Sequence, residues 1–160
     1  MYALTLTAEL AGVTNLRPKD TQDSQFFYTF RVQCTSCREL HPKLVTLNRF
    51  EMNEMSGSRG EANFVWKCMN CRRESSASIT AAPTPYEHSE PPKTQKILQI
   101  ECRGLEFTEF IPEGEWLVDG LESNTKFENV DLTEGEWFDY DEKAGEEVSI
   151  KDLKWEIVRA

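Results

Sequence analysis

The chain reads as a mainly β protein, two similar antiparallel β units packed together. Three observations predict this. Apolar side chains recur at every second position in several segments. Two Cys-x-x-Cys pairs each follow such a segment, and a proline-rich stretch parts a cysteine-bearing half from an acidic half.

The elements follow in chain order. In residues 26–33, Phe26, Tyr28, Phe30 and Val32 alternate with Phe27, Thr29, Arg31 and Gln33, the pattern of a half-buried strand. Ala62, Phe64 and Trp66 repeat it, as do Leu98, Ile100 and Cys102, and Leu153, Trp155 and Ile157 near the end. No segment sustains the spacing of an amphipathic helix for three turns. Leu44–Met55 comes nearest, but Val45, Leu47 and the preceding Pro42 suit a strand as well. Ser56–Gly60 (SGSRG) reads as a hairpin tip or a mobile loop. Four of the seven prolines fall within AAPTPYEHSEPPK, and proline donates nothing to a sheet ladder. The expected organisation is a cysteine-bearing β unit at 1–80, a linker at 81–94 and an acidic β unit at 95–160. A shift of 94 positions lays Leu4–Pro18 over Leu98–Pro112 with six positions alike in character, a weak sign of internal duplication.

Composition bounds the function. Leu, Ile, Val and Phe supply 36 of 160 residues, so the apolar core is lean. Net charge is −10, and it is unevenly divided. Residues 1–80 carry 10 basic against 8 acidic side chains, residues 81–160 carry 8 against 20. This balance argues against nucleic acid and anionic membranes as partners, because phosphates attract cationic surfaces. No apolar run approaches the roughly 18 residues that span a bilayer. MYALTLTAEL lacks the basic start of a signal peptide, so the expectation is a cytoplasmic protein, with the nucleus also open, and a monomer. Acidity is densest over 134–147, where Trp137, Phe138 and Tyr140 are interspersed. That run is either a solvated face or a docking patch for a basic protein partner.

Cys34, Cys37, Cys68 and Cys71 carry the strongest signal. Two residues between cysteines let both sulfurs of a tight turn face one point, and two such knuckles complete a tetrahedral thiolate site. Disulfides are disfavoured in a reducing compartment, and a thioredoxin-like pair would need a βαβ context. Copper(I) and iron–sulfur chemistry also accept thiolates, though ferredoxin spacings differ. One zinc per chain is the expected cofactor. Four cysteines leave no open coordination position, so the site would be structural rather than hydrolytic. Each pair follows a strand, ending at Gln33 and Lys67, so both knuckles are expected at one end of one sheet. Lys67, Arg38, Arg72 and Arg73 stand beside the thiolates, as charge relief or as ordinary surface residues. His41, four residues after Cys37, is expected at the surface, and His88 in the linker. Cys102 reads as a small buried hydrophobe.

No catalytic constellation emerges: GxSxG, P-loop, GxGxxG and HExxH are all missing. The expectation is a non-enzymatic, zinc-stabilised module that binds another protein. A metal- or thiol-handling protein is the alternative, and an enzyme using Cys102 or the acidic loop ranks lower.

Several strings occur together in order: NLRP at Asn15–Pro18, the two Cys-x-x-Cys pairs, GSRG at Gly57–Gly60 with KC at Lys67–Cys68, ECRGLE at Glu101–Glu106, and Trp137 followed by DYDEKA at Asp139–Ala144. This combination resembles the eukaryotic CXXC-motif-containing zinc-binding protein family, a group of uncharacterised function, over nearly the whole chain. The resemblance implies two similar β halves and one zinc on Cys34, Cys37, Cys68 and Cys71. It implies no metal cluster in the second half and supplies no reaction to inherit.

Overall fold

Alternating apolar residues make strands throughout. A computed structural model describes residues 1–56 and 60–160, and no helix occurs among the described residues. The first strands are β1 (Tyr2–Ala11), β2 (Val13–Pro18), β3 (Tyr28–Cys34), β4 (Val45–Leu47) and β5 (Asn53–Glu54). Then come β6 (Glu61–Ala62), β7 (Phe64–Lys67), β8 (Glu74–Ile79), β9 (Gln95–Arg103) and β10 (Leu105–Ile111). The last are β11 (Trp116–Gly120), β12 (Lys126–Val130), β13 (Trp137–Asp141) and β14 (Glu146–Arg159). The Leu44–Met55 stretch resolves into β4 and β5, as its β-branched residues and Pro42 favour. Positions 57–59 of the Ser56–Gly60 segment lie outside the described residues. Its flanks β5 and β6 pair antiparallel, and the Met55 amide donates to the Gly60 carbonyl at 3.2 Å.

The main sheet has six strands in the order β13-β14-β1-β9-β8-β7. Two three-stranded sheets, β10-β3-β4 and β12-β11-β2, pack with it. Strands from both sides of the 81–94 segment are therefore interleaved: β1 lies between β14 and β9. The central strands leave the large sheet at glycines, β1 through Gly12 into β2 and β9 through Gly104 into β10. Both glycines have positive φ, 72° and 82°, a conformation that strains other residues. A Cβ on Gly12 would also lie 2.8 Å from Val148 Cγ1.

The core joins the three sheets. Leu4, Leu6, Phe30, Ile100 and Trp116 are fully buried. Phe30 stacks on Phe107 at 4.3 Å, and Phe110 meets Trp155 edge-on at 4.8 Å. Trp116 lies 5.5 Å from Trp155, which links strands β11 and β14 through one aromatic cluster. Aromatic pairs of this kind add about 0.5–1.5 kcal/mol beyond their buried area.

Residues 81–94, read as a linker from their prolines, are tied down by a buried residue. Tyr86 is 1% exposed and exchanges two backbone bonds with Leu16. Its hydroxyl lies 3.0 Å from the Ala8 amide, 3.1 Å from the Ala8 carbonyl and 2.7 Å from the Lys93 carbonyl. Ala8 sits where the β1·β14 register shifts, so the ladder skips it and the phenol takes its place. Tyr86→Phe orphans that buried amide and is expected to cost about 1–3 kcal/mol. A lower urea midpoint with unchanged m-value would show it, and an unchanged midpoint would contradict it.

Candidate metal centre

A CxxC knuckle is a tight turn, and both pairs adopt it. After β3, the Arg38 amide donates to the Cys34 carbonyl at 3.0 Å. After β7, the Arg72 amide donates to the Cys68 carbonyl at 2.9 Å. Each turn closes on a left-handed residue, Arg38 with φ 64° and Arg72 with φ 66°. The knuckles belong to different sheets, since β3 lies in a three-stranded sheet and β7 edges the large one. The expectation that one sheet carries both is corrected. Strand ends can converge when two sheets pack face to face, without sharing a ladder. β4 and the β5·β6 pair occupy the long interval between the knuckles.

All four sulfurs lie within 4.8 Å of one another. Cys34 and Cys71 Sγ are 3.7 Å apart, Cys37 and Cys68 Sγ 3.6 Å. A tetrahedron with metal–sulfur bonds of about 2.3 Å has edges of about 3.8 Å, so the donors fit a tetrathiolate ion. Cys34 and Cys68 are buried, Cys37 is half-buried, and Cys71 is exposed. One side of the site thus rests on the core and the other reaches solvent.

Two of the thiols are already polarised. Amides of Cys37 and Ser36 aimed at its sulfur hold Cys34 below the ordinary thiol range, against burial. The Asn70 side chain and the Glu39 amide bring Cys37 down to about 6. For Cys71 the Arg73 amide pulls down, but burial and the three neighbouring thiols together push it up to about 11. Proton loss from such a cluster is shared, and a cation at its centre draws it to completion.

Of the four basic neighbours, two make contacts that sequence spacing could not show. Arg73 Nη1 donates to Ser36 Oγ at 2.9 Å, bridging one knuckle to the other. Arg38 pairs with Glu106 at 3.4 Å. Asn70 was overlooked as a sulfur partner, although a polar amide inside a CxxC turn is a readable signal. His41 stands outside the sulfur cluster and meets Trp66 edge-on at 5.5 Å. Cys102 is half-buried in β9 opposite Ala77, and burial pushes its thiol up to about 12. His88 lies within the 81–94 segment and ties it to β2, its amide donating to Thr14 Oγ1 at 2.9 Å.

The acidic run maps onto the turn before β13, β13 itself, the turn after it and the start of β14. Trp137 packs inward, edge-on to Phe127 at 5.4 Å, whereas Phe138 and Tyr140 are 60% and 51% exposed. β13 is an edge strand of the large sheet.

The chain matches the family model for eukaryotic CXXC-motif-containing zinc-binding proteins over residues 3–158. It is 49% identical to UPF0587 protein C2D10.03c of Schizosaccharomyces pombe, covering 99% of this chain and 98% of the relative. A human protein named CXXC motif containing zinc binding protein is 35% identical, covering 98% and 97% of the two chains. The crystal structure of C1orf123 superposes with a TM-score of 0.90 at 35% identity, covering 99% of each chain. With its paired knuckles converging on one point and a match that spans almost every residue, the chain belongs to the eukaryotic family of CXXC-motif-containing zinc-binding proteins.

Proposed function

We propose that Cys34, Cys37, Cys68 and Cys71 hold one structural zinc, and that the protein works without catalysis, by binding another protein along β13. Soft thiolates select zinc over hard cations, and the family is named for zinc. The observation that carries the docking reading is the exposed pair Phe138 and Tyr140 on a free sheet edge. Around them stand Glu134, Glu136, Asp139, Glu142, Glu146 and Glu147. The Tyr140 amide takes the Asp139 carboxylate at 2.7 Å instead of a further strand, a way of keeping an edge from self-association. A basic extended segment that displaces this local contact could add there as a strand, its cations on the carboxylates and its apolar side chains against the two rings.

An extended probe peptide of alternating Lys and apolar residues tests this by amide NMR. Shifts confined to 134–150 are expected. Phe138→Ser with Tyr140→Ser should weaken binding about tenfold, near 1.4 kcal/mol. Added salt should weaken it too, as exposed charges are screened. No response in β13, or an equal response from the double variant, would overturn the reading.

A second reading is metal or thiol handling, favoured by the exposure of Cys71. Zinc release with thiol loss in mild peroxide would support it. Retention of one zinc with all four thiols protected would support the structural site.

A further inference from the structure

The order β13-β14-β1-β9-β8-β7 reads as two three-strand groups that meet at the β1·β9 pair. β1 bends into β2 and joins β11 and β12, while β9 bends into β10 and joins β3 and β4. The ladder registers repeat. Val13↔Gly120, Arg17↔Leu117 and Pro18↔Trp116 match Leu105↔Cys34, Glu109↔Arg31 and Phe110↔Phe30. Tyr140↔Glu147 matches Lys67↔Glu74 in the same way. Each half of the chain therefore lends its first strand pair to the other half's remaining strands. The offset between β1–β2 and β9–β10 is 92 positions, set by Gly12 and Gly104, two fewer than the 94 that character alone aligns.

This correspondence carries Cys34, Cys37, Cys68 and Cys71 onto Gly120, Ser123, Asp141 and Ala144. We propose that these four positions are the frame of a second metal site, in which the Asp141 carboxylate and its hydroxyl partners hold the two turns together where an ion would. The inference rests on the metal reading of the cysteine site and extends it to the other half.

The backbone repeats bond for bond. Asn124 donates to the Gly120 carbonyl at 3.0 Å, as Arg38 does to Cys34 at 3.0 Å. Gly145 donates to Asp141 at 2.7 Å, as Arg72 does to Cys68 at 2.9 Å. Leu121 donates to Gly12 at 2.9 Å, as Thr35 does to Gly104 at 3.1 Å. The left-handed residues recur too, with φ 59° at Asn124 and 67° at Gly145.

The side chains substitute for sulfur in kind. Ser123 Oγ accepts the Thr125 amide at 3.2 Å, and Cys37 Sγ accepts the Glu39 amide at the matching position. Asp141 Oδ1 accepts the amides of Lys143 at 3.1 Å and Ala144 at 3.2 Å, the turn amides that face the first sulfur of a knuckle. The Thr125 hydroxyl reaches the same oxygen at 2.9 Å, and the Ser123 hydroxyl donates to the other. Asp141 is 1% exposed. A Cβ on Gly120 would point between Ser123 Oγ and Asp141 Oδ2, into the centre of the cluster, and no positive φ opposes it.

Charge explains the difference. Four thiolates repel one another without a dication, whereas one carboxylate meeting two hydroxyls and two amides is satisfied by itself. The left-handed positions agree. The cysteine half carries Arg38 and Arg72 at these left-handed positions, and the other half carries the more permissive Asn124 and Gly145.

The test replaces all four residues, Gly120→Cys, Ser123→Cys, Asp141→Cys and Ala144→Cys, in the full chain refolded with zinc. Native mass spectrometry should then count two zinc ions against one in the parent, and cobalt(II) thiolate absorption should double. The triple variant Ser123→Cys, Asp141→Cys, Ala144→Cys adds no Cβ at Gly120 and is read the same way, in case the fourth side chain cannot be housed. A second ion in either variant supports the proposal, and its absence from both overturns it. The parent is measured alongside. A metal-free parent would sink the reading of the cysteine site, while an ion in the grafted half would still uphold this one.

Discussion

Cys34→Ser is expected to unfold the β3–β8 region and to lower the thermal midpoint sharply, with chelation of the wild type giving the same result. Cys34 is fully buried, so the variant leaves only three thiolates to hold the ion and puts a hydroxyl in the sulfur's buried place. Structural zinc contributes about 10–16 kcal/mol in zinc-finger peptides, against about 5–15 kcal/mol for a whole domain. The chain is also lean in apolar residues, so little else compensates. The effect should not stop at residue 80. β8 pairs with β9 and β9 with β1, and β1 in turn holds β14. Calorimetry and far-UV dichroism should therefore show the whole sheet losing cooperativity. An unchanged melt after Cys34→Ser would defeat the structural role.

Asp20→Ala is expected to have the next largest effect, though it lies outside the metal centre. The Asp20 side chain is fully buried and accepts from the Tyr28 hydroxyl at 2.7 Å, Arg49 Nε at 2.9 Å and the Phe26 amide at 3.3 Å. Burial and the adjacent Asp20 both push the Tyr28 phenol far up, so it stays a donor. Removing the carboxylate strands the buried phenol and leaves Arg49 with the residue-20 carbonyl at 3.1 Å and the Phe50 ring, a loss of about 3–5 kcal/mol. For a chain of this size that corresponds to a midpoint lower by roughly 10 °C. Asp20→Asn keeps an acceptor and should cost less. Equal melts for Asp20→Ala and wild type would show that Arg49 finds solvent or another partner.

Much of the site was legible because its signal is local. Two residues between cysteines define a knuckle within four positions, and two knuckles imply one four-sulfur point. The strands were legible for the same reason: Tyr28, Phe30 and Val32 alternate within one pleat and are all fully buried. Trp137 against Phe138 and Tyr140 was not legible. The pleat says that neighbours face opposite ways, but not which face the rest of the molecule covers. Tyr86 was hidden by its prolines, since the Ala8 bulge it satisfies lies 78 positions away.

By itself, then, the sequence determined a β protein with one thiolate centre, because periodicity and knuckle spacing are written within a few residues. Tertiary structure alone decided that the knuckles converge from two different sheets and that β1 and β9 cross between the halves. It also decided that Asp141, far from any cysteine in the chain, stands where Cys68 stands in the other half. Ladders between strands some 90 residues apart are built from generic backbone groups, so their register becomes visible only once the sheets are assembled.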